Sequence, residues 1–137
     1  MAKIVYKVAP RCSGKTIWLC ERAKEELNAG KQLFYFTNGE RMRHFHSFRE
    51  KYEYFCNGAC MVEAILSVED IPESAMDNAV ILIDNFMEYM DGSELVYKLK
   101  QNDAVTIYIT LNDDCAPAHD TIETIPDAQD WEQLRLF

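Results

Sequence analysis

A chain of 137 residues with 48% hydrophobic and 12% aromatic content has apolar material for one core and too little length for two ordinary domains. Its net charge of −9 argues against broad, sequence-independent contact with a nucleic-acid backbone, where Lys or Arg normally supplies each phosphate contact. No apolar run approaches the roughly 18 residues a membrane span needs, and five scattered cysteines, an odd number, fit a reducing cytoplasm better than a disulfide framework.

The chain starts with Ile4 to Val8, an apolar segment interrupted by lysines, which reads as a first strand rather than a signal peptide. After the segment Ala9 to Gly14, the stretch Lys15 to Ala29 places Ile17, Cys20, Ala23 and Leu27 at helical spacing with charges between them, and Gly30 is expected to end the helix in a left-handed conformation. Leu33 to Phe36 reads as a second strand. A helix from about Glu40 to Tyr52 would then bury Met42, Phe45, Phe48 and Tyr52.

Cys60 to Val68 offers a further, less distinct strand before the polar, proline-containing stretch Glu69 to Asn78. Val80 to Ile83 is apolar throughout, the pattern of a central parallel strand covered on both faces. Gly92 to Gln101 predicts a helix with Leu95, Val96 and Leu99 as its apolar stripe, and Val105 to Leu111 a last central strand. Short apolar strands alternating with helical segments predict an α/β fold: a three-layer core with a mainly parallel sheet of about four to five strands flanked by helices. The organisation expected is one domain over residues 1–115 followed by an acidic tail, residues 116–137, which contains Pro117 and Pro126 and closes on the amphipathic Trp131 to Phe137. This tail is expected to dock on the domain or to contact a partner.

The chemistry concentrates between the first strand and the first helix, in Ala9-Pro10-Arg11-Cys12-Ser13-Gly14-Lys15-Thr16. A tight loop there turns successive backbone N–H groups inward, and the helix start adds its positive dipole end, a combination suited to phosphate. The segment resembles the Walker A motif of P-loop NTPases, with Ala9 where the leading Gly usually stands. Val80-Ile81-Leu82-Ile83-Asp84 resembles the Walker B strand of the same families. The resemblance covers the chain from about Lys3 to Asn112 and points to the ASCE or RecA-like group. The Pro10-Arg11 pair is also similar to loops of viral DNA-packaging and helicase-type ATPases.

The resemblance implies that Ala9 to Thr16 cradle the phosphates of ATP or GTP, that Lys15 reaches the terminal phosphates, and that Thr16 and Asp84 hold Mg²⁺. Many hydrolysing relatives have Glu directly after the Walker B Asp; here the residue is Asn85. RecA-like enzymes often carry the base after the second strand instead, which makes Glu40 the preferred general base and Glu88 the reserve. Glu40 is equally readable as an acid in the first turn of a helix. Asn112 or Thr110, at the end of the strand expected beside the loop, is the implied sensor of the terminal phosphate.

Arg41, Arg43, Arg49 and Lys51 cluster with His44 and His46. They could form a local anion-facing patch, the only place on this acidic chain that nucleic acid could use, and one of Arg11, Arg41, Arg43 and Arg49 is a candidate arginine finger acting on a neighbouring subunit. A solvated helix face is the plainer reading of the same residues. Structural zinc on His44, His46, Cys56 and Cys60 is disfavoured because the two histidines alternate too tightly for the usual pairing. The expectation is therefore a minimal ATPase or ATP-binding subunit, slow in hydrolysis alone and acting with a protein partner or as a homo-oligomer. A non-hydrolysing P-loop scaffold and a small nucleotide or metabolite kinase are the alternatives.

Overall fold

The structure, a computed structural model, describes residues 2–9, 14–37, 42–84, 91–112 and 128–129. In chain order these form β1 (Lys3–Ala9), α1 (Lys15–Asn28), β2 (Gln32–Phe36), α2 (Met42–Cys56), β3 (Glu63–Ile65), two single 3₁₀ turns (Val68–Asp70 and Glu73–Ala75), β4 (Ala79–Ile83), α3 (Asp91–Leu99), β5 (Thr106–Asn112) and β6 (Ala128–Gln129). The strands lie in one sheet in the order β3-β2-β4-β5-β1-β6, and every pairing is parallel. Parallel neighbours cannot be joined by a hairpin, so the chain crosses over between them, and among the described residues helices occupy three of the crossovers. The expected α/β fold is the one formed.

Strand residues alternate between two cores. Ile4, Tyr6, Phe34, Phe36, Ile81, Ile83, Ile107 and Ile109 face one way and pack with Leu95, Val96 and Leu99 of α3. Leu33, Tyr35, Val80, Leu82 and Tyr108 face the other way and pack with Leu19, Cys20 and Ala23 of α1 and Phe45, Phe48 and Tyr52 of α2. The sheet is thus the middle of three layers. All five residues of β4 are buried, as its unbroken apolarity predicts. Phe48 is fully buried with its ring 5.0 Å from that of Tyr35; truncation to Ala would cost about 3–5 kcal/mol.

The buried stripe of α1 is Leu19, Cys20 and Ala23, while Ile17 and Leu27 are only partly covered. This corrects the stripe expected from spacing, in which Ile17 stood where Leu19 does. The helix ends as predicted at Gly30, which has φ +82°. Gly30 N–H donates to Leu27 O at 3.0 Å and Lys31 N–H to Glu26 O at 3.1 Å, the paired bonds of a Schellman cap.

α2 continues one turn beyond the expected end at Tyr52, to Cys56. No Gly or Pro interrupts it before Asn57, which takes the left-handed conformation at φ 52° and closes it. The Cys60–Val68 segment contributes a strand of three residues, Glu63–Ile65. It stops there because the Leu66 and Ser67 amides donate to Asp70 Oδ2 at 2.8 and 3.2 Å instead of continuing the ladder. Within the segment expected as the tail, Ala128–Gln129 pairs with Ile4 and Val5 of β1.

Candidate functional site

Strand order decides what meets what at the carboxyl edge of the sheet, where loops following parallel strands gather. β5 lies between β1 and β4. Its register runs Ala9 against Asn112 on one side and Ile83 against Ile109 on the other. The ends of β1 and β4 are therefore two strand steps apart, with the end of β5 between them.

Gly14 precedes α1 with φ +88° and an exposed backbone. A Cβ there would meet nothing within 4 Å, so the demand for Gly is conformational: about 1–2 kcal/mol for another residue held left-handed. The turn lets α1 begin at once, Trp18 N–H donating to Gly14 O at 2.9 Å. Lys15, the first helical residue, is only 6% exposed. Thr16 follows, and its hydroxyl donates to Oδ2 of Asp84 at 2.8 Å.

Asp84, directly after β4, is 5% exposed. Its other oxygen, Oδ1, accepts the hydroxyl of Thr110, a fully buried residue of β5. A buried carboxylate is costly unless its oxygens are hydrogen-bonded, and here each has a donor. The arrangement suits magnesium, which takes hard oxygen ligands. Thr16 would be a direct ligand of such an ion and Asp84 would hold it through water. A hydroxyl can donate to the carboxylate and still turn a lone pair to a cation.

A cleft of about 320 Å³ opens beside this pair, with Thr16 and Asp84 on one wall and Arg43, His44, Ser47 and Lys51 of α2 on the other. Residues 43, 47 and 51 follow one another at intervals of four, so a single helix face lines the cleft. The face buried beneath it carries Phe45, Phe48 and Tyr52. Arg43 and Lys51 are exposed, so two solvent-accessible cations and one buried carboxylate line the same cleft. Among the described lining residues Ser47 is the one not expected from the sequence, since nothing marks a small polar residue on an exposed helix face before the helix is placed.

Other expected site residues are distributed differently. Ala9 ends β1 and Asn112 ends β5, directly opposite in register. Pro10 to Ser13, with Arg11 and Cys12, lie outside the described residues, as do Glu40, Arg41, Asn85 and Glu88. Thr110, weighed as a phosphate sensor, has its hydroxyl on Asp84. Arg49 is exposed on α2 away from the cleft walls.

Among the described residues no group of three or more His, Cys, Asp or Glu gathers as a metal cluster. Cys56 is buried and donates towards the Cys20 carbonyl at 3.8 Å, while the His46 ring lies against Phe45. Burial pushes the Cys20 thiol up to about 12, with Cys56 and Asp84 adding to the effect, so at neutral pH it is a protonated core side chain rather than a nucleophile. No described helix is long and apolar enough to cross a membrane.

No family model matches the chain, and no curated protein is similar to it. The parallel sheet flanked by helices is compatible with a P-loop α/β fold. The functional reading rests on this chain's own residues.

Proposed function

We propose that the chain is a nucleotide-binding P-loop protein, holding the phosphates of ATP or GTP at Ala9 to Thr16 and magnesium between Thr16 and Asp84. The observation that carries this reading is the hydrogen bond from Thr16 to Asp84, residues 68 positions apart in sequence. Two motifs read separately from sequence, a Gly-Lys-Thr turn and an apolar strand ending in Asp, meet across an intervening strand. The position of β5 between their strands supports the ASCE-type grouping.

In this reading Lys15 offsets charge on the terminal phosphates, and backbone N–H groups at the start of α1 add the positive end of the helix dipole. Magnesium bound at the Thr16 and Asp84 oxygens would neutralise phosphate oxygens and fix their orientation. Asp84 itself is oriented by Thr110 from below, as groups behind a metal ligand commonly do. Asn85 cannot take a proton from water as a carboxylate can, so the isolated chain binds nucleotide and turns it over slowly, with Glu40 as the base. Faster turnover belongs to an assembly with a protein partner or further copies of the chain, in the cytoplasm.

Calorimetric titration with ATP, with and without Mg²⁺, tests the reading. Lys15→Ala should weaken binding by about 1.5–3 kcal/mol, the worth of a hydrogen bond to a charged group, or roughly tenfold to a hundredfold. Asp84→Asn should remove the gain that magnesium gives and leave metal-free binding largely intact. Equal affinity for ATP in the wild type and Lys15→Ala rules the site out.

A further inference from the structure

The α2 wall of the cleft is more than the phosphate loop requires. Thr16 and Asp84 belong to the proposed magnesium site, yet Lys15, the cation that serves the terminal phosphates, is not among the described residues lining the cleft. Across from the metal pair stand Arg43, His44, Ser47 and Lys51. Arg43 and Lys51 start about 12 Å apart along α2, a span their long side chains can close on one phosphate held over Ser47.

We infer that this cleft is a second binding site, taking a small phosphate monoester beside the magnesium end of the nucleotide. Arg43 supplies a planar fork that matches phosphate oxygens in pairs, Lys51 a compact charge, and Ser47 a hydroxyl donor between them. Two cations suit a dianion; a single carboxylate would leave one of them unmatched. The volume of about 320 Å³ falls at the lower end of small-molecule sites. A chain with net charge −9 repels a long polyanion, so a local pair of cations in a cleft favours a small one. Arg43 then acts within its own chain instead of reaching into a neighbour.

The inference rests on the P-loop reading only for the nucleotide as neighbour, and the experiment separates the two. The full chain is saturated with Mg²⁺ and a non-hydrolysable ATP analogue, so that the terminal-phosphate position is filled, and titrated with inorganic phosphate. Wild type should bind phosphate at millimolar concentration or better. Arg43→Ala/Lys51→Ala, both exposed positions, should bind it at least tenfold more weakly while affinity for the analogue changes less than threefold. Ser47→Ala should cause a smaller loss.

Phosphate binding that appears with MgADP but vanishes with the triphosphate analogue would overturn the inference, since the α2 cations would then serve the nucleotide's own terminal phosphate. Equal phosphate binding by wild type and double variant would also overturn it, as would no phosphate binding at all. Failure of the P-loop reading shows separately, as no analogue binding by wild type; the same double variant then tests the phosphate site on the chain alone.

Discussion

Thr110 on β5 donates its hydroxyl proton to Oδ1 of Asp84, which follows β4, tying together the ends of two neighbouring strands at the carboxylate that also accepts from Thr16. Removing that hydroxyl leaves a buried, charged oxygen short of a donor. Thr110→Val should therefore destabilise the fold by about 1–3 kcal/mol, read from urea unfolding, and weaken magnesium-dependent ATP binding. Thr110→Ser should restore most of both. Full stability in the Val variant would mean that Asp84 is held by other groups.

Turnover by the isolated chain should be slow. Asn85 offers no proton acceptor, and losing the base or an arginine at the transition state typically slows phosphoryl transfer by orders of magnitude. With Glu40 as base and completion on assembly, phosphate release should rise more than linearly with protein concentration, and Glu40→Gln should abolish release but spare ATP binding. Fast hydrolysis by a dilute monomer, unchanged by Glu40→Gln, points to another base.

Gly30 tests the end of α1. Its φ is +82° and a Cβ at this position would enter open space, so Gly30→Ala should cost only the backbone term, about 1–2 kcal/mol, with ATP affinity unchanged. A neutral result in urea titration would show that the Schellman cap gives way to another helix end.

Stability should fall as the solution becomes alkaline. Burial raises the Cys20 thiol from 9.0 to about 12 and the Tyr108 hydroxyl from 10.0 to about 12, and it raises Tyr6 as well. The folded chain keeps these protons at pH values where the unfolded chain releases them, so the native state binds more protons and stability declines with rising pH. The contribution is complete below about pH 9 and is lost progressively towards pH 12. The urea midpoint should drop between pH 8 and 10.5, less steeply in Cys20→Ala; a constant midpoint contradicts the burial argument.

The strands were legible because β-branched and aromatic runs of the right length have few other uses, and α3 because Leu95, Val96 and Leu99 fall on one stripe. Asp84 was legible as a partner of the loop after β1, since both end strands of one parallel sheet. The role of Thr110 was not, because a hydroxyl at the end of a strand becomes a carboxylate's donor only when strand order makes the two neighbours. Ser47 was hidden for a related reason: a small polar residue on an exposed helix face carries no signal until the helix is placed against Thr16. Ile17 misled because helical spacing fits two overlapping stripes, and packing against the sheet chose the one with Leu19.

β1 pairs with β5 and β6, both near the far end of the chain. During synthesis β1 emerges early and has no strand partner until Thr106–Asn112 has left the ribosome, whereas β2, β3 and β4 can already join one another. The bond from Thr110 to Asp84 cannot form before then either. A nascent chain halted short of β5 thus lacks both β1's place in the sheet and the donor that fixes Asp84, and the proposed phosphate site would be completed by the last central strand rather than by the Gly-Lys-Thr turn itself.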